Sequence, residues 1–208
     1  IIMGNIKITL TEFINFVNKS GTAKATVVKA AKKRRETEDN PYTTDYWYAL
    51  RNRIIEFHKR GKNIDFLDGL INYICDEKKP NYETLINGYK KFLGKKKIKY
   101  LTPIRKTWVI GDISIALNPE LILEINKKIY IIKLYMSAKE SMNKKHADLI
   151  LTLLEHEMRS KVGGDEPIFA VLEVKTGKLF PQKKKDLFLY PLLKGEARSF
   201  EIQWKELK

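Results

Sequence analysis

The chain has 208 residues, of which 43% are hydrophobic, and this size allows one domain or two small ones with a buried core. Its 40 lysine and arginine residues exceed its 25 aspartate and glutamate residues, and the net charge of +15 favours polyanionic partners, nucleic acid before an anionic membrane surface. The single cysteine, Cys75, excludes an intramolecular disulfide framework and a cysteine-based zinc finger.

Several functional classes lack their sequence patterns. The chain has no G-x-x-x-x-G-K-[ST], G-x-G-x-x-G or G-x-S-x-G pattern, and its three histidines do not form an H-E-x-x-H pair. This argues against nucleotide hydrolysis, dinucleotide redox chemistry and serine hydrolysis. No signal peptide and no apolar run of about 18 residues is present, so we expect a cytoplasmic protein with no membrane partner.

Apolar residues recur at helical spacing through the first hundred residues. A first helix is predicted to begin at Thr9 or Thr11 as N-cap and to stop at Gly21. The clearest amphipathic pattern covers 44–61, with apolar side chains at spacings of three, four and three. Residues 1–98 are therefore predicted to form a helical, basic N-terminal region, which ends in the boundary segment GKKKIKY. Further helices are predicted over 22–36, 63–79 and 81–94.

Beyond this boundary the apolar residues no longer recur at helical spacing but form strand-like runs. Segment 106–117 is rich in β-branched residues, and the apolar runs 119–125 and 128–136 are joined where a hairpin turn fits, at Asn126–Lys128. From residue 85 the order is α-β-β-β-α-β, which indicates an α+β fold with a mixed-sheet α/β core over 99–208. The last elements of this core are a helix over 141–161, a strand over 168–174, and extra C-terminal strands over 178–180, 186–193 and 199–207.

Charged residues on these strands are candidates for chemistry. In the run FAVLEVKTG, Glu173 and Lys175 are two positions apart and leave the same face if the run is a strand. Glu120 follows Pro119 at the start of a strand. Lys133 lies inside the apolar run YIIKLYM, where it needs a partner such as Glu120 or a phosphate.

This order and these residues resemble the restriction-endonuclease-like, or PD-(D/E)XK, nuclease superfamily over about 85–175. The resemblance implies an acid at the start of the second strand and an acid-x-Lys pair on the third. Together these groups hold a divalent ion, Mg²⁺, for phosphodiester cleavage. Glu120 fits the first acid. By topology the acid-x-Lys pair falls on Ile131 and Lys133, whereas by motif it falls on Glu173 and Lys175, one strand later.

The resemblance therefore implies Glu173, Lys175, Glu120 and Lys133 as catalytic residues, with Asp112, Glu120 and Glu173 as metal ligands. The split pattern fits an active nuclease or an inactive relative that retains the binding surface. Glu173 and Lys175 also fit the exposed side of an ordinary strand, and Asp112 fits a turn or bulge. The stretches SGTAKATVVKAAKK and NPELILEINKKIYIIKLYM additionally resemble a family of uncharacterised bacterial proteins, which implies no residue roles.

Three basic runs indicate nucleic-acid binding, at 32–35, 95–97 and 183–185, because such residues contact phosphate. Nearby Tyr42, Tyr46, Tyr48 and Tyr100 would stack on bases or pack in the core. DNA is favoured over RNA, and a homodimer is left open. The alternative is a phage- or defence-related protein-interaction module that binds an acidic partner. The candidate nucleic-acid-binding residues are Lys32, Lys33, Arg34, Arg35, Lys95, Lys96 and Lys97.

Overall fold

The computed structural model describes residues 6–37, 45–162, 166–182 and 186–207. Its helices and strands occur mostly in separate runs along the chain, as predicted for an α+β protein. The helices are α1 (Leu10–Val17), α2 (Thr22–Thr37), α3 (Tyr48–Lys59), α4 (Asp65–Asp68), a 3-10 helix (Gly69–Tyr73), α5 (Lys79–Leu93), α6 (Lys144–Val162) and α7 (Leu189–Glu206). The strands are β1 (Ile6–Thr9), β2 (Ile98–Leu101), β3 (Lys106–Ile110), β4 (Ile113–Leu117), β5 (Leu121–Ile125), β6 (Lys128–Tyr135), β7 (Ile168–Glu173) and β8 (Lys178–Pro181).

A capping box fixes the start of α1. The Thr9 hydroxyl accepts a hydrogen bond from the Glu12 amide at 3.1 Å, and the Glu12 carboxylate accepts one from the Thr9 amide at 2.8 Å. This reciprocal pair satisfies two amides that the helix itself leaves without acceptors. Thr9, one of the two predicted candidates, is therefore the N-cap.

The described strands form two mixed sheets. One has the order β2-β5-β6-β7-β8, in which β6 and β7 are parallel and the other neighbours are antiparallel. Parallel neighbours need a long crossover, and α6 provides it. The other sheet has the order β1-β4-β3, with β1 parallel to β4. The predicted hairpin between β5 and β6 is confirmed, with its turn at Asn126 and Lys127.

The five-stranded sheet is covered by apolar clusters on both faces. Alternate residues of β7 divide between them: Phe169 and Val171 belong to one cluster, and Leu172 belongs to the other. The first cluster contains residues of α1, α2, α6, α7 and the three-stranded sheet, and the second contains residues of α3, α4 and α5. Both halves of the chain thus contribute to both clusters. The division into regions 1–98 and 99–208 stays a prediction.

A close approach of α5 to the turn after β7 depends on one glycine. A Cβ atom at Gly88 would lie 2.1 Å from the carbonyl oxygen of Val174, which no side chain tolerates. Glycine at this position lets α5 pack directly on the segment that carries Lys175.

Several elements differ from the prediction, including the helix predicted over 63–79, which is a short α-helix, Asp65–Asp68, followed by the 3-10 helix Gly69–Tyr73. Segment 106–117 is a hairpin of β3 and β4 rather than one strand, because Gly111, with a φ of 55°, turns the chain. The strands predicted over 186–193 and 199–207 are wrong, since α7 occupies Leu189–Glu206. Its buried side chains Leu193, Ala197 and Phe200 recur at helical spacing. Strands β1 and β2 were not predicted, whereas the strand at 178–180 is confirmed as β8.

In the part of the chain that the structure describes, no helix combines the length and the apolar character that crossing a membrane requires.

Candidate nucleic-acid interface

Glu120 and Lys133 meet at the start of β5 and near the end of β6. Glu120 directly precedes β5, Lys133 lies on the neighbouring β6, and the Lys133 ammonium forms an ion pair with Glu120 Oε1. The other oxygen, Oε2, accepts a hydrogen bond from the Leu134 amide at 2.8 Å, and Arg51 Nε lies 3.7 Å from Oε1. The Glu120 side chain is only 8% exposed. Protein donors therefore occupy both oxygens of this carboxylate.

Glu173 has a different set of partners. It ends β7, is 4% exposed, and accepts hydrogen bonds from the Met142 amide at 2.7 Å and from the Thr176 hydroxyl at 2.5 Å. These bonds connect β7 to the segment that precedes α6 and to the turn that follows β7. Glu173 is therefore neither a solvated strand residue nor a free metal ligand.

Lys175 also binds the segment that precedes α6. It lies beyond the end of β7, and its ammonium donates to the carbonyl oxygens of Ala138 at 3.3 Å and Glu140 at 3.4 Å. The two charges that the sequence places two residues apart thus share one structural task, which is to attach segment 138–142 to the end of the strand.

Asp112 belongs to the other sheet. It lies in the turn between β3 and β4, where its carboxylate is 2.7 Å from the ammonium of Lys205 on α7. The interpretation as a turn residue is confirmed at this position.

The residues present do not fit a magnesium site. Within residues 6–37, 45–162, 166–182 and 186–207, no group of three or more His, Cys, Asp and Glu side chains is placed to hold a metal. Mg²⁺ requires several oxygen ligands in an octahedron, but Glu120 already binds two cationic side chains. Ile131, which stands at the acid position by topology, is fully buried in the core.

We expect Glu173→Ala to lower the free energy of unfolding by about 2 kcal/mol, because the buried Met142 amide loses its acceptor. We expect Mg²⁺ to leave the melting temperature of the parent protein unchanged. Thermal unfolding with added Mg²⁺ and with a chelator measures both effects. If Mg²⁺ raised the melting temperature of the parent protein and Glu173→Ala removed that increase, Glu173 would be a metal ligand.

The basic run at 32–35 connects helices to one another. Lys32 donates to the carbonyl oxygen of Leu207 at 2.7 Å, beyond the end of α7, and Arg35 forms two 2.6 Å hydrogen bonds with Glu12. Arg34 lies 3.0 Å from the same carboxylate. Burial raises the pKa of Glu12, but the bonds from Arg35 and Thr9 hold it below its usual value. Lys33 is exposed on α2.

The second basic run is part of a larger lysine cluster. The turn between β5 and β6 lies beside the loop before β2, because the Asn126 amide donates to the Lys97 carbonyl at 3.0 Å and the Asn126 side chain accepts from the Lys97 amide at 3.2 Å. This pairing brings two segments of exposed lysines to one sheet edge. We call this set the lysine edge: Lys95, Lys96, Lys97, Lys127 and Lys128.

Most of the lysine edge is electrostatically uncompensated. Across the described residues, Lys95, Lys97, Lys127 and Lys128 form no ion pair, and the Lys96 ammonium donates to the Phe92 carbonyl. Sequence reasoning missed Lys127 and Lys128, although it predicted their turn. The pairing of β2 with β5, which joins the two segments, leaves no sign in the local pattern.

The remaining sequence candidates are dispersed. Tyr46 packs against Trp47, with ring centroids 4.6 Å apart, and burial raises the pKa of Tyr100. Tyr48 is 39% exposed. The run at 183–185 and Tyr42 lie outside the described residues.

Comparisons with known proteins add little. No protein-family model matches the chain, and no curated protein matches it. A solved structure described as the crystal structure of SSO0001 shares 11% sequence identity, over 88% of this chain and 86% of that chain, with a TM-score of 0.34. A similarity of that size carries no argument about fold or function.

Proposed function

We propose that this protein binds nucleic acid, duplex DNA before RNA, through the lysine edge. The observation that carries the proposal is the meeting of two lysine segments at one sheet edge, where none of the five ammonium groups has a carboxylate partner among the described residues. Exposed lysines of this kind contact phosphate oxygens and release counterions, which gives affinity without base readout.

In this proposal the restriction-endonuclease-like core is a scaffold that does not cleave. Support comes from the position of Glu120, directly before β5, beside Lys133 on the neighbouring β6, where the resemblance places an acid and a lysine. The second acid of such a site is replaced by buried Ile131, and Glu173 is occupied by the Met142 amide. The protein would therefore be an inactive relative that binds the polymer without hydrolysing it.

Salt dependence tests this function. We expect fluorescence anisotropy with a labelled duplex to show an affinity that falls steeply between about 50 and 200 mM salt, because each phosphate contact contributes about 0.9 to the slope of log K against log salt. We expect the duplex to remain intact during incubation with Mg²⁺.

An acidic protein partner is the competing explanation of the charge. Unlabelled duplex should displace the labelled duplex at a far lower concentration of negative charges than polyglutamate does. Polyglutamate is also a polyanion, but it lacks the geometry of the phosphate groups. Equal displacement by both polymers, or no duplex binding at low salt, would contradict the proposal.

A further inference from the structure

The last turn of α6 lies at the same end of the five-stranded sheet as the lysine edge. Helix α6 connects the end of β6 to the start of β7, and Arg159 in its last turn donates to the carbonyl oxygen of Pro167, just before β7, at 2.8 Å. The first paired residues of the parallel strands are Tyr130 of β6 and Ile168 of β7. Lys128 of the lysine edge lies two residues before Tyr130, so the start of β6 and the end of α6 share one end of the sheet.

Two exposed cations are joined at the end of α6. Lys161 lies in the last turn of the helix, and its ammonium donates to the carbonyl oxygen of Arg105, in the loop before β3, at 3.0 Å. Both residues are exposed, and neither forms an ion pair with another described residue. We call Arg105 and Lys161 the basic pair.

Carboxylates in the second half of α6 do not offset the charge of the basic pair. Glu155 forms an ion pair with Arg159, and the Glu157 carboxylate lies 2.7 Å from the ammonium of Lys106. Glu166 differs from them, because it is exposed and forms no ion pair within the described part of the chain. It lies just before β7, at the position that corresponds to the lysine at the start of β6.

We infer that a duplex bound at the lysine edge also contacts the basic pair, so that it lies across this end of the sheet. The inference rests on the proposed function and extends its binding surface from the sheet to the layer of α6. Packed layers of secondary structure lie about 10 Å apart, and the grooves of B-DNA are about 6 and 12 Å wide. Phosphates on the two sides of one groove can therefore contact the two sets of cations, and Glu166 is a repelling charge within the footprint.

Two variants of equal charge test the contact with the basic pair. One combines Arg105→Gln with Lys161→Gln. The other combines Lys139→Gln with Lys145→Gln, at exposed residues before and within the first turn of α6, at the opposite end of the sheet. In fluorescence anisotropy with a labelled duplex, the first variant should lose about 10-fold in affinity at low salt, and its slope of log K against log salt should fall by about 2, since two phosphate contacts are removed. The second variant should keep the slope of the parent protein.

Replacing the acid within the footprint should have the opposite effect. Glu166→Gln should raise the duplex affinity about threefold at about 100 mM salt, because it removes a charge that repels phosphate within the screening length of about 10 Å. A misfolded variant cannot produce such a gain, so this result is independent of the stability of the first variant. Glu140→Gln, at an exposed residue before α6, removes the same charge at the opposite end and should leave the affinity close to that of the parent protein.

The measurements separate failure of this inference from failure of the proposed function. If the parent protein binds duplex but the basic-pair variant keeps the same slope as its control, the basic pair lies outside the footprint and the proposed function stands without it. An affinity that Glu166→Gln does not raise above that of Glu140→Gln likewise overturns the inference alone. If the parent protein does not bind duplex at low salt, the proposed function fails and this inference fails with it.

Discussion

Replacing Glu120 by glutamine is expected to lower the free energy of unfolding by about 3 kcal/mol. The amide oxygen can still accept a hydrogen bond from the Leu134 amide, but it offers no negative charge to Lys133 and Arg51. The Lys133 side chain is only 17% exposed, so its ammonium would remain largely desolvated without a counter-charge. Breaking one partner of such a pair costs about 3 to 5 kcal/mol in other proteins.

A double-mutant cycle separates this structural role from a catalytic one. Lys133→Met should be destabilising alone, and Glu120→Gln combined with Lys133→Met should cost less than the sum of the single changes, because no unpaired ammonium remains. Glu124→Gln, on β5 and opposite Lys99, is the matched control and should have little effect. Chemical denaturation gives the four unfolding free energies. An unchanged free energy for Glu120→Gln would show that Glu120 has no structural role.

A second large effect is expected from acid. The Nε2 atom of His58 is hydrogen-bonded to the hydroxyl of the fully buried Tyr89 at 2.5 Å, and burial lowers the pKa of His58 from 6.5 to about 4. The unfolded chain therefore binds a proton on this residue at a higher pH than the folded protein does. The stability that neutral His58 contributes is complete above pH 6.5 and is lost as the pH falls towards 4.

The size of this stability loss follows from the lowered pKa of His58. One pKa unit corresponds to about 1.4 kcal/mol, so the free energy of unfolding falls by about 3 kcal/mol between pH 6.5 and 4. Urea unfolding at several pH values measures it. His58→Gln should flatten the stability curve between pH 6.5 and 4 relative to the parent protein. His156→Gln, at a side chain that is 54% exposed, is the matched control and should keep the parent curve. If the unfolding free energy of His58→Gln changed with pH in the same way as that of the parent protein, His58 would not have a lowered pKa in the folded protein.

The parts of the fold that were predicted are those with a long, regular pattern. Apolar residues have helical spacing over 44–61, and they form strand-like runs on both sides of the turn at Asn126. The structure contains α3, β5 and β6 at these places. The α7 segment was misassigned because DLFLYPLL reads as a strand until the buried spacing of Leu193, Ala197 and Phe200 is known. Pro191 stands in the first turn of α7, where its missing amide is tolerated.

The candidate site was predictable only in part, because its contacts join distant segments. A lysine in an apolar strand needs a partner, and of the two partners considered for Lys133, Glu120 and a phosphate, the structure shows an ion pair with Glu120. The spacing of Glu173 and Lys175 could not show that both attach segment 138–142, since that contact depends on the path of the chain before α6. The sequence likewise did not reveal that Arg34 and Arg35 bind the capping residue Glu12.

If the lysine edge binds nucleic acid, the affinity must depend on where the lysines lie and not on the net charge alone. The most direct test compares two variants of equal charge. One replaces Lys95, Lys97, Lys127 and Lys128 by glutamine, and the other replaces the exposed Lys7, Lys29, Lys139 and Lys145 by glutamine. Duplex affinity is measured for both across a salt series.

The lysine-edge variant should lose at least about 100-fold in affinity at low salt, and its slope of log K against log salt should fall by about 3, because up to four phosphate contacts are removed. The control variant should retain a slope close to that of the parent protein. Equal losses in both variants would contradict the account, because affinity would then follow total charge and the lysine edge would not be the binding surface.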